Sequence, residues 1–305
     1  MKNYRILKYP WHTAHDYELA KLPHSFYYLS STYRRWSHQH RPLPSKITWI
    51  SDQAEQETDL MILHLDQWTY YQPAKRFLFL NYKNTYPGPK IVINHGCNLK
   101  DGCSSETLQE LVSGCHMVCN SSFAQQLWNV PNSTFIRHGM SPEEWPSTNY
   151  ELNNTVAVQA SSEFYRIYNN HAAIEAAEKI VPITWVGRDI VCRSFSEYKA
   201  FLQKSSVFFQ PSLASPNPRA RTEAMLSGLA VVSTNMHGEE EYIEHGVNGF
   251  ISNDPEELCD FLRFLNEHPE QAKEIGQAGR VTAQRIFHID NFKQEWNQLL
   301  EECLN

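Results

Sequence analysis

The sequence lacks any apolar run long enough to cross a membrane. The longest, around Ala230–Val232, falls far short of the ~20 residues that span a bilayer. Its first residues, Met1-Lys2-Asn3-Tyr4-Arg5, lead into Tyr, Lys, Trp and His, without the apolar core of a secretory signal. Cysteine is present but unframed: seven residues, an odd number with no short repeating spacing, read as reduced thiols of a cytoplasmic protein. No basic amphipathic helix is evident, so peripheral membrane association stays open. Internal repeats and low-complexity segments are missing too. With 41% apolar and 20% charged residues, disordered and fibrous classes are excluded. At roughly 100–200 residues per domain, 305 residues predict two domains.

Charge of one sign is also not in large excess. The net of −7 divides unevenly: residues 1–145 hold 14 Lys+Arg against 12 Asp+Glu, and residues 146–305 hold 13 against 22. A whole-surface grip on nucleic acid is not expected, while a local basic site in the first half is allowed.

What is present is a rhythm of short apolar runs and helical stretches. In the first half, Arg5–Trp11, Ser25–Leu29, Ile47–Ile50, Leu60–Leu65, Phe77–Leu80, Ile91–Asn94, Met117–Cys119 and Thr134–Ile136 read as strands. Asp16–Leu22 and Ser122–Trp128 read as helices. In the second half, strands are expected at Val156–Gln159, Ile183–Val186, Val207–Gln210, Val231–Thr234 and Phe250–Ile251. Helices are expected at Asn170–Lys179, Glu197–Lys204, Arg219–Ser227 and Glu239–Glu244. Strand–helix alternation predicts parallel sheets, hence an α/β fold of two doubly wound Rossmann-like domains. The break falls near 141–154, giving an N-terminal domain over 1–145 and a C-terminal domain over 146–285. After Pro255 the chain is wholly helical, and Phe292, Trp296, Leu299 and Leu300 recur at helical spacing.

The most informative stretch is Phe208–Gly249. A buried strand ends at Pro211-Ser212, a loop follows, and a helix is expected to start at Pro218 with Asn217 as its cap. A helix N-terminus beyond a strand's end favours an anion, because its N–H groups and dipole point there. Arg219 and Arg221 in that first turn oppose the dipole, so an anion nearby would account for them. Solvated arginines are the plain alternative.

This stretch resembles the C-terminal domain of nucleotide-sugar glycosyltransferases of the GT-B fold, especially the retaining group called glycosyltransferase family 4. The resemblance is carried by Pro211-Ser212, Glu223-Ala224-Met225-Leu226-Ser227-Gly228, Val231-Val232, Gly238 with Glu241, and His245-Gly246-Val247-Asn248-Gly249. Upstream, Phe135-Ile136-Arg137-His138-Gly139-Met140 is similar to the family's interdomain hinge, and Ile91–Gly96 to the strand whose histidine faces the cleft. The match is strong over about 205–252, fair over 91–145 and poor over 1–90.

The resemblance implies that a sugar nucleotide is held by Gly187, Arg188, Asn217, Arg219, Arg221, Thr222 and Glu223. Glu223 would accept from the ribose hydroxyls, as a carboxylate can from two donors at once. It also implies that 286–305 forms a helix returning to the first domain, that the cleft holds the active site, and that configuration is retained without a metal. Two departures matter. Ser215 stands where the family has a carboxylate beside the donor sugar, and Pro218 replaces a Gly with an N–H to offer. The usual Arg–Lys diphosphate clamp is missing, with Arg166 the only cation in its place; Arg166, Arg219 and Arg221 could jointly substitute. No Asp-x-Asp occurs, so a metal-held diphosphate is not expected.

Candidate catalytic residues are therefore His95, Arg166 and Ser215. His95 follows a buried strand, at the edge where such folds bind ligands. His12 and His15, in Trp11-His12-Thr13-Ala14-His15-Asp16, replace the family's glycine-rich loop and could line the acceptor side. The stretch 33–46, containing Arg34, Arg35 and Trp36, could receive an anionic acceptor: lipid-carrier phosphate, acidic glycan or, less favoured, a nucleic-acid strand. A solvated loop with Trp36 in the core is the alternative. Cys97, Cys103, Cys115 and Cys119 with His95 and His116 suggest zinc only weakly, because four residues of extended chain span roughly 13 Å. No cofactor or metal is expected beyond the sugar nucleotide as substrate. The competing reading is a degenerate GT-B protein that binds nucleotide or glycan without turnover. An epimerase or phosphorylase on a similar fold ranks below it.

Overall fold

The structure is a computed structural model. It describes residues 2–32, 35–66, 69, 72–96, 104–158, 169–213, 215, 217–235 and 241–304. The chain divides into unit 1, Met1–Gly139 with Ile289–Asn305, and unit 2, Met140–His288. The divisions fall before those expected at 145 and after that at 285. Locally, Met140 pairs with His288 and donates its N–H to the Phe287 carbonyl at 2.8 Å, while Trp145 is buried in the unit 2 core.

Unit 1 is one all-parallel sheet. Its strands are β1 (Arg5–Lys8), β2 (Ser25–Leu29), β3 (Ile47–Ile50), β4 (Leu60–Leu65), β5 (Lys90–Asn94), β6 (His116–Cys119) and β7 (Ser133–Phe135), in the order β3-β2-β1-β4-β5-β6-β7. Strands β4 and β5 are apolar on both faces, as a sheet covered by helices on both sides requires. The crossovers include α1 (Thr13–Leu19), α2 (Pro73–Thr85), α3 (Ser105–Leu111) and α4 (Ser122–Trp128). Ser104 and Ser121 cap α3 and α4 by accepting from backbone N–H groups three residues on.

Three local expectations are corrected here. Phe77–Leu80 is not a strand but part of α2. Pro73 sets the first turn, and Leu78 and Phe79 face the core while Phe77 is exposed; a short apolar run cannot settle its own period. β1 stops at Lys8, ahead of Pro10, which has no N–H to pair. α1 starts at Thr13 rather than Asp16, so Asp16 lies inside the first turn, where its carboxylate can reach the loop before it.

Unit 2 is a second all-parallel sheet of β8 (Thr155–Val158), β9 (Ile183–Val186), β10 (Val207–Gln210), β11 (Ala230–Ser233) and β12 (Phe250–Ile251), ordered β12-β11-β10-β8-β9. Its helices are α5 (His171–Glu178), α6 (Phe195–Lys204), α7 (Arg219–Ser227), α8 (Pro255–Glu267) and α9 (Pro269–Ile286). Part of the helix expected over Glu239–Glu244 lies outside the described residues.

The last helix, α10 (Ile289–Leu304), belongs to unit 1. Ile289, Phe292, Trp296, Leu299 and Leu300 join the core formed by Ile6, Phe26, Ile62 and Ile93. The stripe is spaced for one helical face, and burying it against a sheet is what makes the helix stable.

The two units use glycine where chains meet closely. Gly228 ends α7 in the left-handed conformation at φ +83°, which disfavours any side chain. A methyl at Gly276 of α9 would collide with the Gly228 carbonyl oxygen. Gly276→Ala should therefore destabilise the protein by about 1–3 kcal/mol through overpacking. Denaturant unfolding checks this; an unchanged midpoint would mean that α9 shifts without cost.

Candidate functional site

In a doubly wound sheet ligands gather beyond the carboxyl ends of the strands, where the strand order reverses. That point lies between β1 and β4 in unit 1 and between β8 and β10 in unit 2. Each unit places candidate residues there.

In unit 1 the edge carries four histidines. His64 ends β4, His95 follows β5, and His12 and His15 come from the loop and helix after β1. His64 Nδ1 lies 3.0 Å from His95 Nε2. The rings of His12 and His95 stack at 5.9 Å, and His15 meets His95 edge-on at 5.4 Å. Trp11 stacks on the other side of His64 at 5.8 Å and 3°. Backbone bonds hold the frame: the His95 N–H donates to Leu65 O at 2.8 Å, and the His64 N–H to Tyr9 Oη at 3.2 Å. His15 is buried and packs edge-on against Phe292 of α10. It is therefore not a surface histidine, whereas His12 is exposed.

Below this cluster Lys8 and Asp16 form a fully buried ion pair. Burial pulls the Lys8 ammonium below its usual range, with Asp16 opposing. Asp16 also accepts the Trp11 N–H at 3.0 Å, so the pair ties β1 to the loop carrying the histidines. Removing one partner of such a pair strands a buried charge. Burial first, then the nearby Lys8 and the other three histidines, drive His64 well below the ordinary histidine range.

Sequence reasoning missed His64, Lys8 and Asp16 as parts of this site. The one signal was a histidine inside the apolar strand Leu60–Leu65.

The candidate acceptor loop is partly corrected. Trp36 is buried in the unit 1 core and its Nε1 donates to Arg41 O at 2.9 Å, so it cannot face an acceptor. Arg35 donates to the carbonyls of Ser30 and Thr32, bracing its own loop. Arg34 lies outside the described residues. Cys115 and Cys119 are buried thiols, and burial pushes Cys119 up to about 12. Cys97 and Cys103 are outside the described residues, and no metal-holding group of three ligands occurs among those described.

In unit 2, β10 ends at Gln210 and the loop beyond it leads to α7. The Thr234 Oγ1 hydroxyl donates to Gln210 O at 3.2 Å and also to Ser212 O, which fixes the loop's start. Ser215 is half-buried. Pro218, not Asn217, is the N-cap: the Arg221 and Thr222 N–H groups donate to its carbonyl, and Pro218 itself has no side-chain group to cap with. Asn217 is buried just ahead of it.

Arg219 and Arg221 do not act together. At 100° per residue two positions apart point to opposite sides of a helix. Arg221 points inward, fully buried, and donates to Ser233 Oγ at 3.1 Å and to Tyr242 Oη. It locks α7 to β11 and is removed from the candidate diphosphate contacts. Arg219 is half-buried and shares its face with Glu223, four residues on. Glu223 is only 5% exposed, so it is not a solvated helical carboxylate. Thr222 is fully buried.

Arg188 is a second correction. Its guanidinium is held by Glu178 at 2.5 Å and Asp189 at 2.8 Å, and lies over the Trp185 ring. Its hydrogen bond to Asp189 leads the causes that raise its pKa. Gly187, at φ +100°, makes the turn after the edge strand β9, with β8 intervening before β10, roughly 10 Å across the sheet. Arg166 falls outside the described residues. The segment His245–Gly249 is a turn built around Asn248, whose side chain donates to Tyr242 O and Thr282 Oγ1 and accepts from the Glu244 N–H. Glu241 is exposed, and Gly238 is outside the described residues.

Two all-parallel, doubly wound units are the architecture of the GT-B class. Solved structures agree over nearly the whole chain. HepE of Anabaena in complex with UDP-glucose has a TM-score of 0.72 at 15% identity, covering 98% of this chain and 100% of that one. Sucrose-phosphate synthase of Thermosynechococcus elongatus has a TM-score of 0.69 at 12% identity, covering 98% and 99%. Residues 191–282 match the family Glycosyl transferases group 1. The chain has the GT-B fold, and the stretch matching that family lies within its second unit. Among curated relatives, a sucrose synthase of Thermosynechococcus vestitus is 30% identical over 125 residues, and a trehalose synthase of Pyrococcus horikoshii 29% over 104. The matched stretches cover 39% and 34% of this chain but 15% and 25% of those proteins. Among the described residues no helix is long and apolar enough to cross a membrane.

The depressed His64 carries a pH signature. Above about pH 6.5 His64 is neutral in both folded and unfolded chains and leaves stability unchanged. Below it the unfolded chain takes up a proton that the folded chain refuses, so stability falls by up to about 1.4 kcal/mol per pH unit until the folded pKa is reached. Denaturant unfolding at pH 7.5 and 5.5 should show a smaller acid loss for His64→Phe than for the parent. Equal losses would mean that His64 charges freely in the folded state.

Proposed function

We propose that the chain transfers a hexosyl group from a UDP-linked sugar to an acceptor, retaining anomeric configuration and needing no metal. The observation that carries this reading is the start of α7. A helix N-terminus whose N-cap, Pro218, offers no side-chain cap lies beyond β10, at the switch point of unit 2, and Arg219 and Glu223 share one face of it. Helix N–H groups and Arg219 suit a diphosphate, and the buried carboxylate of Glu223 suits ribose hydroxyls. These residues lie within the matched stretch 191–282, and HepE has been solved with both UDP and UDP-glucose. Asn217 and Gly187 complete the proposed donor surface, with Ser215 beside the sugar and Arg166 a further candidate for the diphosphate, while Thr222, fully buried, supports α7 from within. Charge developing on the leaving diphosphate is met by Arg219 and helix dipoles, where a preorganised dipole acts without reorganisation.

His95 is proposed to meet the sugar or the leaving phosphate from unit 1, with His12 on the acceptor side. The acceptor is proposed only as a class: a hydroxyl on a glycan or lipid carrier.

A second reading is favoured by one observation. Ser215 stands where the resemblance calls for a carboxylate, and Arg221, one of the proposed replacements for the clamp, is locked inside unit 2. A protein so altered would bind a sugar nucleotide without turning it over.

Thermal unfolding with UDP, ADP and GDP and their glucose conjugates, in EDTA, separates these. A nucleotide at 100 times its dissociation constant should add about 2.7 kcal/mol of stability. UDP-glucose should stabilise the parent, Glu223→Ala should lose that effect, and Arg188→Ala should keep it. Slow release of glucose from bound UDP-glucose then identifies an enzyme, and its absence the binding protein. No stabilisation by any nucleotide would overturn both.

A further inference from the structure

His64 is fully buried, and its Nε2 has no hydrogen-bond partner among the described residues. Its Nδ1 faces His95 Nε2 at 3.0 Å. A neutral imidazole carries one proton, so only one of the two His64 nitrogens can be a donor. A proton on Nε2 would be a buried donor with nothing to receive it, while a lone pair left there is the milder defect. The proton therefore belongs on His64 Nδ1, donated to His95 Nε2. His95 then accepts at Nε2 and carries its own proton on Nδ1.

We propose that His64 is a positioning residue that holds His95 as its neutral Nδ1–H tautomer, so that His95 acts on a bound sugar nucleotide as a hydrogen-bond donor and not as a base. This rests on the assignment of His95 to the sugar nucleotide given above. The chemistry it selects is an oxygen acceptor, either a sugar hydroxyl or a phosphate oxygen. A base would need a bare nitrogen aimed at a hydroxyl proton, and the Nε2 lone pair is taken by His64.

The surroundings act in the same direction. For His95 to gain a proton on Nε2, His64 must move its own proton to the orphaned Nε2 position. The charged and titratable groups that face the pair are Lys8 on β1, His12 and His15 from the loop and α1, and Asp16, which is neutralised by Lys8. On the far side of Trp11, Lys75 is paired with Asp66 at 2.7 Å. No carboxylate in this set is left to favour an imidazolium. Trp11 and Tyr9 pack against the His64 ring, so it cannot turn without opening the loop.

Nitrogen-15 spectra of histidine-labelled protein test this without any assay, His95 being assigned by the peaks lost in His95→Gln. In the parent, His95 should show an unprotonated Nε2 and a protonated Nδ1, unchanged from pH 7.5 to 5.5. His64→Asn keeps an amide donor near the Nδ1 position and should preserve the pattern. His64→Phe should lose it, moving His95 toward Nε2–H and letting it titrate. With UDP-glucose, His64→Phe should lower kcat about tenfold with KM little changed, the worth of one charge-assisted hydrogen bond, and His64→Asn should recover most of it. A parent His95 protonated on Nε2, or an unchanged His95 tautomer in His64→Phe, overturns the proposal. The parent spectrum decides the tautomer even if His64→Phe does not fold. If the tautomer is as stated but UDP-glucose perturbs no His95 resonance and is not turned over, the sugar-nucleotide reading fails and the tautomer assignment stands.

Discussion

Parallel pairing is the constraint on which the rest of this structure depends. Every strand of each sheet runs the same way, so every strand ends on one edge and every crossover begins there. Backbone at that edge leaves the sheet and must find other partners, while the interior strands are sealed between helices. Polar chemistry is thus confined to one rim of each unit. His64, His95 and the loop Trp11–Asp16 stand on the rim of unit 1, and Ser215–Glu223 on the rim of unit 2. Nothing else in the fold need be functional for this to follow.

The two rims are built by different physics. Unit 1 assembles stacked imidazoles over a buried ion pair, and the whole is held by backbone bonds to Leu65 and Tyr9. Such a network is stabilising only when its members are nearly all satisfied, which makes the unpartnered Nε2 of His64 informative. Unit 2 relies on a helix terminus. There the buried guanidinium of Arg221 braces α7 against β11, while Arg219 and Glu223 share the opposite face of the helix.

Much of the fold was legible because its strands are short β-branched or aromatic runs bounded by turn residues. Val207–Gln210 and Ile183–Val186 match their expected ranges, and α10 was visible from the stripe Phe292–Leu300. Phe77–Leu80 was misread because four apolar residues fit either period, and only packing against the sheet decides. The helix α7 was legible from Glu223-Ala224-Met225 and its neighbours. The roles of Arg188, Arg221 and Trp36 were not, since a cation or an aromatic in a loop does not reveal whether its partner is solvent, ligand or core. Arg166 and Arg34 stand outside the described residues.

The sequence by itself determined the architecture of this protein: two parallel α/β units, a stretch in the second that matches Glycosyl transferases group 1, and a final helix with one apolar face. Those properties are written in local periodicity and in motifs whose members lie within one turn and one helix. Only the tertiary structure decided that His12, His15, His64 and His95 form one cluster, that Lys8 and Asp16 lie beneath it, and that Arg221 faces inward. His64 lies on β4 and His95 just beyond the neighbouring strand β5, 31 residues apart in sequence. Their approach depends on strand order and register, which arise from the packing of the whole sheet and leave no trace in the spacing of any single segment.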